Sequence, residues 1–152
     1  MLNHLRLAHF AIISECELSF GPGFTVLTGE TGAGKSIVVD AIGLLLGKQG
    51  SEEWIQQGQD DCHIEGHFTL AKIPASLAPY MTDSSLLIYR RLSRHKPNLI
   101  RLNETPVTLK TLKQIGIDLI TIMGQHEHLS LLDPETQHQY LDHFCGEPLR
   151  QL

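Results

Sequence analysis

Apolar and polar residues alternate in several separate stretches of this chain, which is the pattern of strands with one exposed face. The alternation occurs in residues 2–8 and 12–20, and it returns in residues 62–70. Residues 86–92 and 99–103 are two further short runs on either side of a polar turn. These patterns predict two antiparallel hairpins and one additional strand.

A different pattern lies between the alternating stretches. Residues 24–28 are a short β-prone run, and residues 36–46 are apolar nearly all round, with Gly47 as a helix stop. A helix of that composition is expected to be buried in a sheet sandwich. Residues 108–116 have a helical pattern, and residues 117–123 are a candidate buried strand. Strands and helices together predict an α/β fold.

The junction between residues 24–28 and the apolar helix reads GETGAGKS, a complete G-x-x-x-x-G-K-S loop. Glycines in such a loop let successive backbone N–H groups turn inward toward phosphate oxygens. A lysine adds charge for the outer phosphates, and a hydroxyl in the next position is suited to ligate magnesium. The bland alternative is a glycine-rich turn with an incidental lysine, but a preceding strand and a following helix favour phosphate binding. The predicted nucleotide-binding residues are Gly29, Glu30, Thr31, Gly32, Ala33, Gly34, Lys35 and Ser36.

Composition narrows the class of protein. The 152 residues are 41% hydrophobic and 19% charged, with a formal net charge of -5. No stretch approaches the ~20 apolar residues of a membrane span, and no signal peptide is recognised, so we expect a cytoplasmic protein without membrane partners. Cys16, Cys62 and Cys145 are far apart and in no C-x-x-C arrangement, which indicates neither a disulfide framework nor a zinc site.

Two separated motifs resemble one family. The GETGAGKS loop and the GQHEH segment of residues 124–128 together resemble the RecN family of bacterial DNA repair proteins, which are SMC-like ABC ATPases. The likeness includes residues 106–109. It implies a P-loop NTPase fold: the N-terminal lobe of an ABC/SMC-type head, with an antiparallel β subdomain and a parallel core sheet. Residues 1–152 would form this lobe, ending about where a coiled coil would begin.

The resemblance also implies a mechanism. ATP and Mg²⁺ would be the cofactors, and Gln125 would be the Q-loop glutamine that contacts magnesium and positions water, with Lys35 as the second catalytic residue and Ser36 as the other magnesium ligand. The bland alternative for Gln125 is a polar residue at a strand end. The C-terminal lobe of the same protein would supply Walker B carboxylates, and a second head in a homodimer would close over the nucleotide. The complete protein would hydrolyse ATP, whereas this chain alone would bind ATP without turnover.

Family resemblance further implies DNA as a partner, a role in double-strand break repair and recombination, and a place in the cytoplasm at the nucleoid. Two departures stand out. Arginines that usually follow the phosphate-loop helix are replaced here by Lys48, Gln49, Gln56 and Gln57. The usual Asn-Gly turn is Asn103-Glu104, a weaker turn former.

Other function classes stay open. One is a nucleotide-gated DNA-tethering module in which hydrolysis is incidental. Another is a small P-loop kinase, which the hairpin before the loop and Gln125 disfavour. A GTPase is disfavoured because the chain has no N-K-x-D motif.

Three further motifs each have two competing interpretations. His126-Glu127-His128 suggests a metal site, but it is not the H-E-x-x-H zinc pattern. Residues 131–135 mimic a Walker B motif, although Asp133 before Pro134 is better explained as a helix N-cap. Five basic residues in one hairpin suit either DNA phosphates or, as we prefer, a solvated edge guarded by charge. They are Arg90, Arg91, Arg94, Lys96 and Arg101.

Overall fold

A single antiparallel sheet dominates the fold. The computed structural model describes residues 1–29, 34–81, 83–120 and 122, and Met1–Ile120 form one compact unit. The strands are β1 (Leu2–Phe10), β2 (Ile13–Ser19), β3 (Asp61–Thr69), β4 (Ser85–Ser93), β5 (Leu99–Leu102) and β6 (Thr105–Pro106). The helices are α1 (Lys35–Leu45) and α2 (Leu109–Leu119), with short 3-10 turns at Glu52–Trp54 and Ala78–Tyr80. Neither helix in this described part is long and apolar enough to cross a membrane.

The sheet has the order β2-β1-β3-β4-β5-β6, with every pair antiparallel. Alternation sorts its side chains between two faces, as the sequence predicted. Leu5 and Leu7 of β1 and Ile64 of β3 are fully buried on one face, while His63 and Glu65 of β3 lie on the opposite, partly exposed face. The predicted hairpins and the additional strand are therefore confirmed.

Helix α1 packs on the buried face of the sheet. Its buried side chains are Val38, Ala41, Leu44 and Leu45. The helix comes so close to β3 that a Cβ built on Gly66 would lie 2.7 Å from Leu45 Cδ1. The sequence predicted burial on all sides, yet Val39 is 46% exposed. In the described part of the chain only one face of α1 is covered.

The C-terminal end of α1 is a Schellman motif, with Gly47 in a left-handed conformation at φ +99. Lys48 N donates to Gly43 O at 3.0 Å, and Gly47 N donates to Leu44 O at 3.1 Å. Helix α2 passes directly over this end, since a Cβ on Gly116 would lie 2.3 Å from Leu46 O. Gly47 thus stops the helix as predicted.

Asn103 makes the β5–β6 turn in place of the usual Asn-Gly pair. It has φ 51, in the left-handed region that asparagine tolerates better than most residues. Its side chain accepts from Leu87 N at 2.8 Å and donates to Tyr80 O at 2.8 Å. These two hydrogen bonds hold the turn without a following glycine.

Two predicted strands are wrong in the described residues. Residues 24–28 have no strand partner there, and Phe24 is 92% exposed. Because a strand requires a ladder partner, a β-prone run without one is only extended chain. Residues 117–119 belong to α2, whose helical period buries Leu112 and Ile115 and leaves Ile117 80% exposed. Residues 121 and 123 of the same predicted strand lie outside the described residues. The antiparallel part of the predicted fold is confirmed, whereas the parallel core sheet lacks both of these candidate strands among the described residues.

Replacing Gly47 with alanine should lower the free energy of unfolding by about 2–4 kcal/mol, more than left-handed backbone alone would cost. A Cβ there would lie 2.7 Å from Lys113 Cγ and 2.8 Å from the Lys113 backbone. Gly23→Ala is the matched control, because Gly23 has φ +102 but no atom within 4 Å of the added Cβ. The control should lose about 1–2 kcal/mol in urea denaturation. Equal losses would contradict the close contact between α1 and α2.

Candidate functional site

The described ends of the phosphate loop have the backbone that glycine permits. Gly29 has φ 153 and Gly34 has φ 94, both on the positive side. Residues 30–33 lie outside the described residues. The Lys35 ammonium donates a hydrogen bond to the Gly29 carbonyl, so the two ends of the loop meet. The Lys35 side chain therefore joins the two described ends of the loop at the point where α1 begins.

The N-terminus of α1 is suited to an anion. Its first intrahelical hydrogen bond runs from Val38 N to Gly34 O at 3.1 Å, which leaves the N–H groups of Lys35, Ser36 and Ile37 without intrahelical acceptors. No acidic residue stands in the first turn, and Ser36 is exposed. Backbone donors without intrahelical acceptors, the positive helix pole and one ammonium together favour a phosphate group.

The structure thus places four of the predicted site residues together: Gly29, Gly34, Lys35 and Ser36. The other loop residues, Glu30, Thr31, Gly32 and Ala33, lie outside the described residues. So do Gln125, the neighbouring His126-Glu127-His128 motif, residues 131–135 and Cys145. The roles assigned to these residues stay predictions.

Arg90 is the functional candidate that sequence reasoning misplaced. It is only 2% exposed, and its Nη1 donates to Leu44 O at 2.6 Å and to Lys48 O at 2.7 Å. Burial lowers the pKa of its guanidinium. Both interpretations of the basic hairpin, DNA contact and a solvated edge, are therefore wrong for Arg90. The alternating pattern of β4 indicated this burial, because Arg90 lies on the same face of the strand as the buried Ile88 and Leu92.

Arg94 is also engaged within the fold. It donates to Gln59 O, to the Glu52 carboxylate and backbone, and to Ile55 O, over 3.2–3.5 Å. These hydrogen bonds hold the segment after α1, where Trp54 stacks on the buried Phe10 with ring centroids 5.2 Å apart. The basic hairpin is therefore not one uniform surface.

The edge interpretation of this hairpin is wrong as well. Strand β4 pairs with β3 on one side and β5 on the other, so it lies inside the sheet. Of the five basic residues, Arg94, Lys96 and Arg101 are exposed, and Arg91 is partly buried with Nη2 donating to Pro97 O at 3.2 Å. Since Arg94 is committed to hydrogen bonds within the fold, Arg91, Lys96 and Arg101 are the cations that the hairpin still offers to a partner.

Titratable groups elsewhere in the described residues have surroundings that indicate a structural role. No group of three or more His, Cys, Asp or Glu side chains in that part of the chain is arranged to hold a metal ion. Cys62 lies in β3 with 0% exposure, and burial raises the pKa of its thiol to about 11. Cys16 is a free, half-buried thiol in the edge strand β2. Tyr89 and His63 share a hydrogen bond of 2.8 Å on the outer face of the sheet.

Comparison with known proteins relates this arrangement to ATPase heads. A family model described as an AAA domain matches residues 4–140. The DNA repair protein RecN of Halalkalibacterium halodurans is 46% identical over 155 residues, covering 98% of this chain and 27% of that protein. RecN of Bacillus subtilis is 40% identical over 152 residues, covering 96% of this chain and 26% of that protein. The chain thus spans about a quarter of the length of these curated relatives.

Solved structures with the same fold include an SMC head domain. One from a study of ATP-driven dimerization and DNA-stimulated activation of SMC ATPases has a TM-score of 0.68 at 18% identity, covering 93% of this chain and 97% of that one. The recombination mediator RecF with ATP has a TM-score of 0.66 at 18% identity, covering 92% of this chain and 36% of that one. The SMC head domain of Thermotoga maritima has a TM-score of 0.64 at 23% identity, covering 88% of this chain and 51% of that one. These likenesses confirm the predicted class of fold.

Replacing Arg94 with alanine should lower the free energy of unfolding by about 1–2 kcal/mol, since several hydrogen bonds from one charged donor are lost at a half-exposed site. Lys96→Ala, two residues along the same turn, is the control and should change stability by less than about 0.5 kcal/mol. Both are measured by urea denaturation. Hydrogen exchange at the Gln56 amide, which donates to His9 O at 2.9 Å, should quicken only in the Arg94 variant. Equal behaviour of the two variants would contradict the role given to Arg94.

Proposed function

Because this chain belongs to the AAA-domain family, we propose that it is the ATP-binding, N-terminal lobe of a RecN-like ATPase head. The lobe would comprise residues 1–152. The observation that carries the proposal is the hydrogen bond at the start of α1 by which Lys35 reaches the Gly29 carbonyl and joins the two ends of the phosphate loop. A helix N-terminus with these donors and no acid in its first turn recognises a polyphosphate better than a neutral ligand.

The residues of this site fit Mg-ATP chemically. Positive φ at Gly34 turns the chain into the helix, so that backbone N–H groups would face the same anion as Lys35. Residues 29–36 would hold the triphosphate, and the exposed Ser36 hydroxyl would ligate magnesium together with Gln125. Bound magnesium would neutralise charge that develops on the phosphates.

Hydrolysis would need more than this chain. Gln125 would orient the attacking water, since a carboxamide can do so without titrating. Carboxylates from the C-terminal lobe of the same protein and contacts from a second head would complete the site. ATP hydrolysis is thus proposed for the complete protein, with this lobe as a binding half.

DNA double-strand break repair is the process we propose for the complete protein, on the basis of its likeness to proteins named as DNA repair RecN. Its place would be the cytoplasm, at the nucleoid. Among the basic residues of the hairpin, Arg91, Lys96 and Arg101 are the candidates for phosphate contact. Arg90 is excluded from that role by its burial, and Arg94 by the four hydrogen bonds that commit its guanidinium to the fold.

Lys35→Ala should weaken Mg-ATP binding by about 10- to 100-fold, the loss expected for one charge-assisted hydrogen bond to phosphate. Lys48→Ala is the control at the opposite end of α1. Lys48 pairs with Asp40 at 2.9 Å, and its removal should leave affinity unchanged. Isothermal titration calorimetry on the 152-residue chain measures both. Equal affinities of wild type and Lys35→Ala would overturn the proposed site.

The same chain should hydrolyse ATP only at background rate, because general-base and water-positioning groups supply ~100- to 10,000-fold. Phosphate release over hours measures this. Steady turnover that is abolished by Lys35→Ala would contradict the half-site.

DNA contact by the hairpin is tested with Arg91→Gln combined with Lys96→Gln in the complete protein. The slope of log affinity against log salt should flatten by about two units, at ~0.9 for each lost phosphate contact. Lys72→Gln with Lys110→Gln removes the same charge from exposed sites elsewhere and is the control. Identical slopes for the two double variants would assign the hairpin no part in DNA binding.

A further inference from the structure

Arg90 is a buried cation whose acceptors lie at the C-terminal end of the helix that begins at the phosphate loop, one in its last turn and one just after it. Its Nη1 donates to two backbone carbonyls, Leu44 O at 2.6 Å and Lys48 O at 2.7 Å. None of the ion pairs found among the described residues includes it. Within the described part of the chain, the guanidinium is therefore compensated by backbone carbonyls at the C-terminal end of α1 and not by a carboxylate.

The chemistry of that end explains the choice of an arginine. The last carbonyls of an α-helix lack intrahelical donors and carry the negative pole of the helix. A guanidinium presents several donors in a fixed plane, so from one position it can serve the Leu44 carbonyl of the last turn and the Lys48 carbonyl that follows the helix. Since β4 carries this guanidinium, its two hydrogen bonds join the middle of the sheet to the end of α1.

Close packing encloses the guanidinium. A Cβ built on Gly50 would lie 3.0 Å from Arg90 Nη2 and 2.6 Å from Leu92 Cδ2. The segment that follows α1 thus passes directly over Arg90, at a position where only glycine avoids contact. Arg90 therefore has little freedom to adjust if α1 moves.

We propose that Arg90 is a positioning residue that sets the placement of the phosphate-binding first turn of α1, an inference that rests on the proposed function. Helix α1 has 11 residues and packs on the sheet as one body. At ~1.5 Å per residue it is about 16 Å long, so a tilt of about 4° at its C-terminal end displaces its first turn by roughly 1 Å. Displacement of that size is enough to misalign Lys35 and the backbone donors.

A graded series of substitutions tests this role. Arg90→Lys keeps the charge and can donate to one or both carbonyls, Arg90→Gln keeps a donor without charge, and Arg90→Met keeps neither. Arg91→Met is the matched control, because Arg91 is the next residue on the opposite face of β4. Mg-ATP affinity is measured by calorimetry on the 152-residue chain, at a temperature where circular dichroism shows each variant to be fully folded.

Arg90→Met should weaken Mg-ATP binding about tenfold, Arg90→Lys less than about threefold, and Arg91→Met not measurably. A residue that only stabilises the fold would lower the melting temperature and leave affinity unchanged in the folded protein. If Arg90→Met does not fold, the difference between Arg90→Gln and Arg90→Lys decides the matter in the same way. Equal affinity in all folded Arg90 variants would overturn the proposal.

Hydrogen exchange separates this inference from the proposed function. Without nucleotide, Arg90→Met should quicken exchange at Val38 and Val39, in the first turns of α1, as well as at Leu46 and Gly47. If wild type does not bind Mg-ATP, the proposed function fails, and exchange in the first turns still tests whether Arg90 controls that end. Faster exchange confined to Leu46 and Gly47 would reduce Arg90 to a local cap and overturn the inference.

Discussion

Contact between α1 and the middle of the sheet is the constraint on which the candidate site depends. The helix rests on β3 through Leu45, at a glycine that removes the side chain otherwise in the way. Fully buried leucines such as Leu44 and Leu45 contribute ~1.5–3 kcal/mol each relative to exposure. Apolar burial of this kind has no direction, so it fixes the distance of the helix from the sheet better than its angle. Directional hydrogen bonds at the C-terminal end complete the placement.

The two ends of α1 therefore have opposite chemistry. Its first turn begins at the phosphate loop and exposes Ser36, whereas its last turn is enclosed by the Schellman bonds, by α2 at Gly116 and by Arg90. A rigid end and an open end are what a binding helix requires, because donors held in place lose little freedom when a ligand arrives. Function and stability thus use different ends of one element.

Much of this arrangement was predictable from local pattern. Strand alternation gave the antiparallel strands, and the G-x-x-x-x-G-K-S motif gave the loop and the helix behind it. Local pattern failed where the outcome depends on a partner distant in sequence. Residues 24–28 have strand composition but no partner among the described residues, and residues 117–119 have apolar side chains that a helix also accommodates. The prediction for Arg90 failed for another reason. It was based on the charge of the side chain, whereas the position of a residue in the alternating pattern decides which face of a strand it occupies.

Because Cys62 is buried, the rate of its chemical modification would report how often the sheet opens. Its thiol lies in β3 opposite Leu92, fully enclosed, with a pKa of about 11, so almost none of it is thiolate at neutral pH. Cys16 lies in the edge strand and is half-buried. An alkylating reagent would therefore modify Cys62 only after β3 and β4 separate from the core, and the rate at Cys62 would follow the opening of the sheet under native conditions.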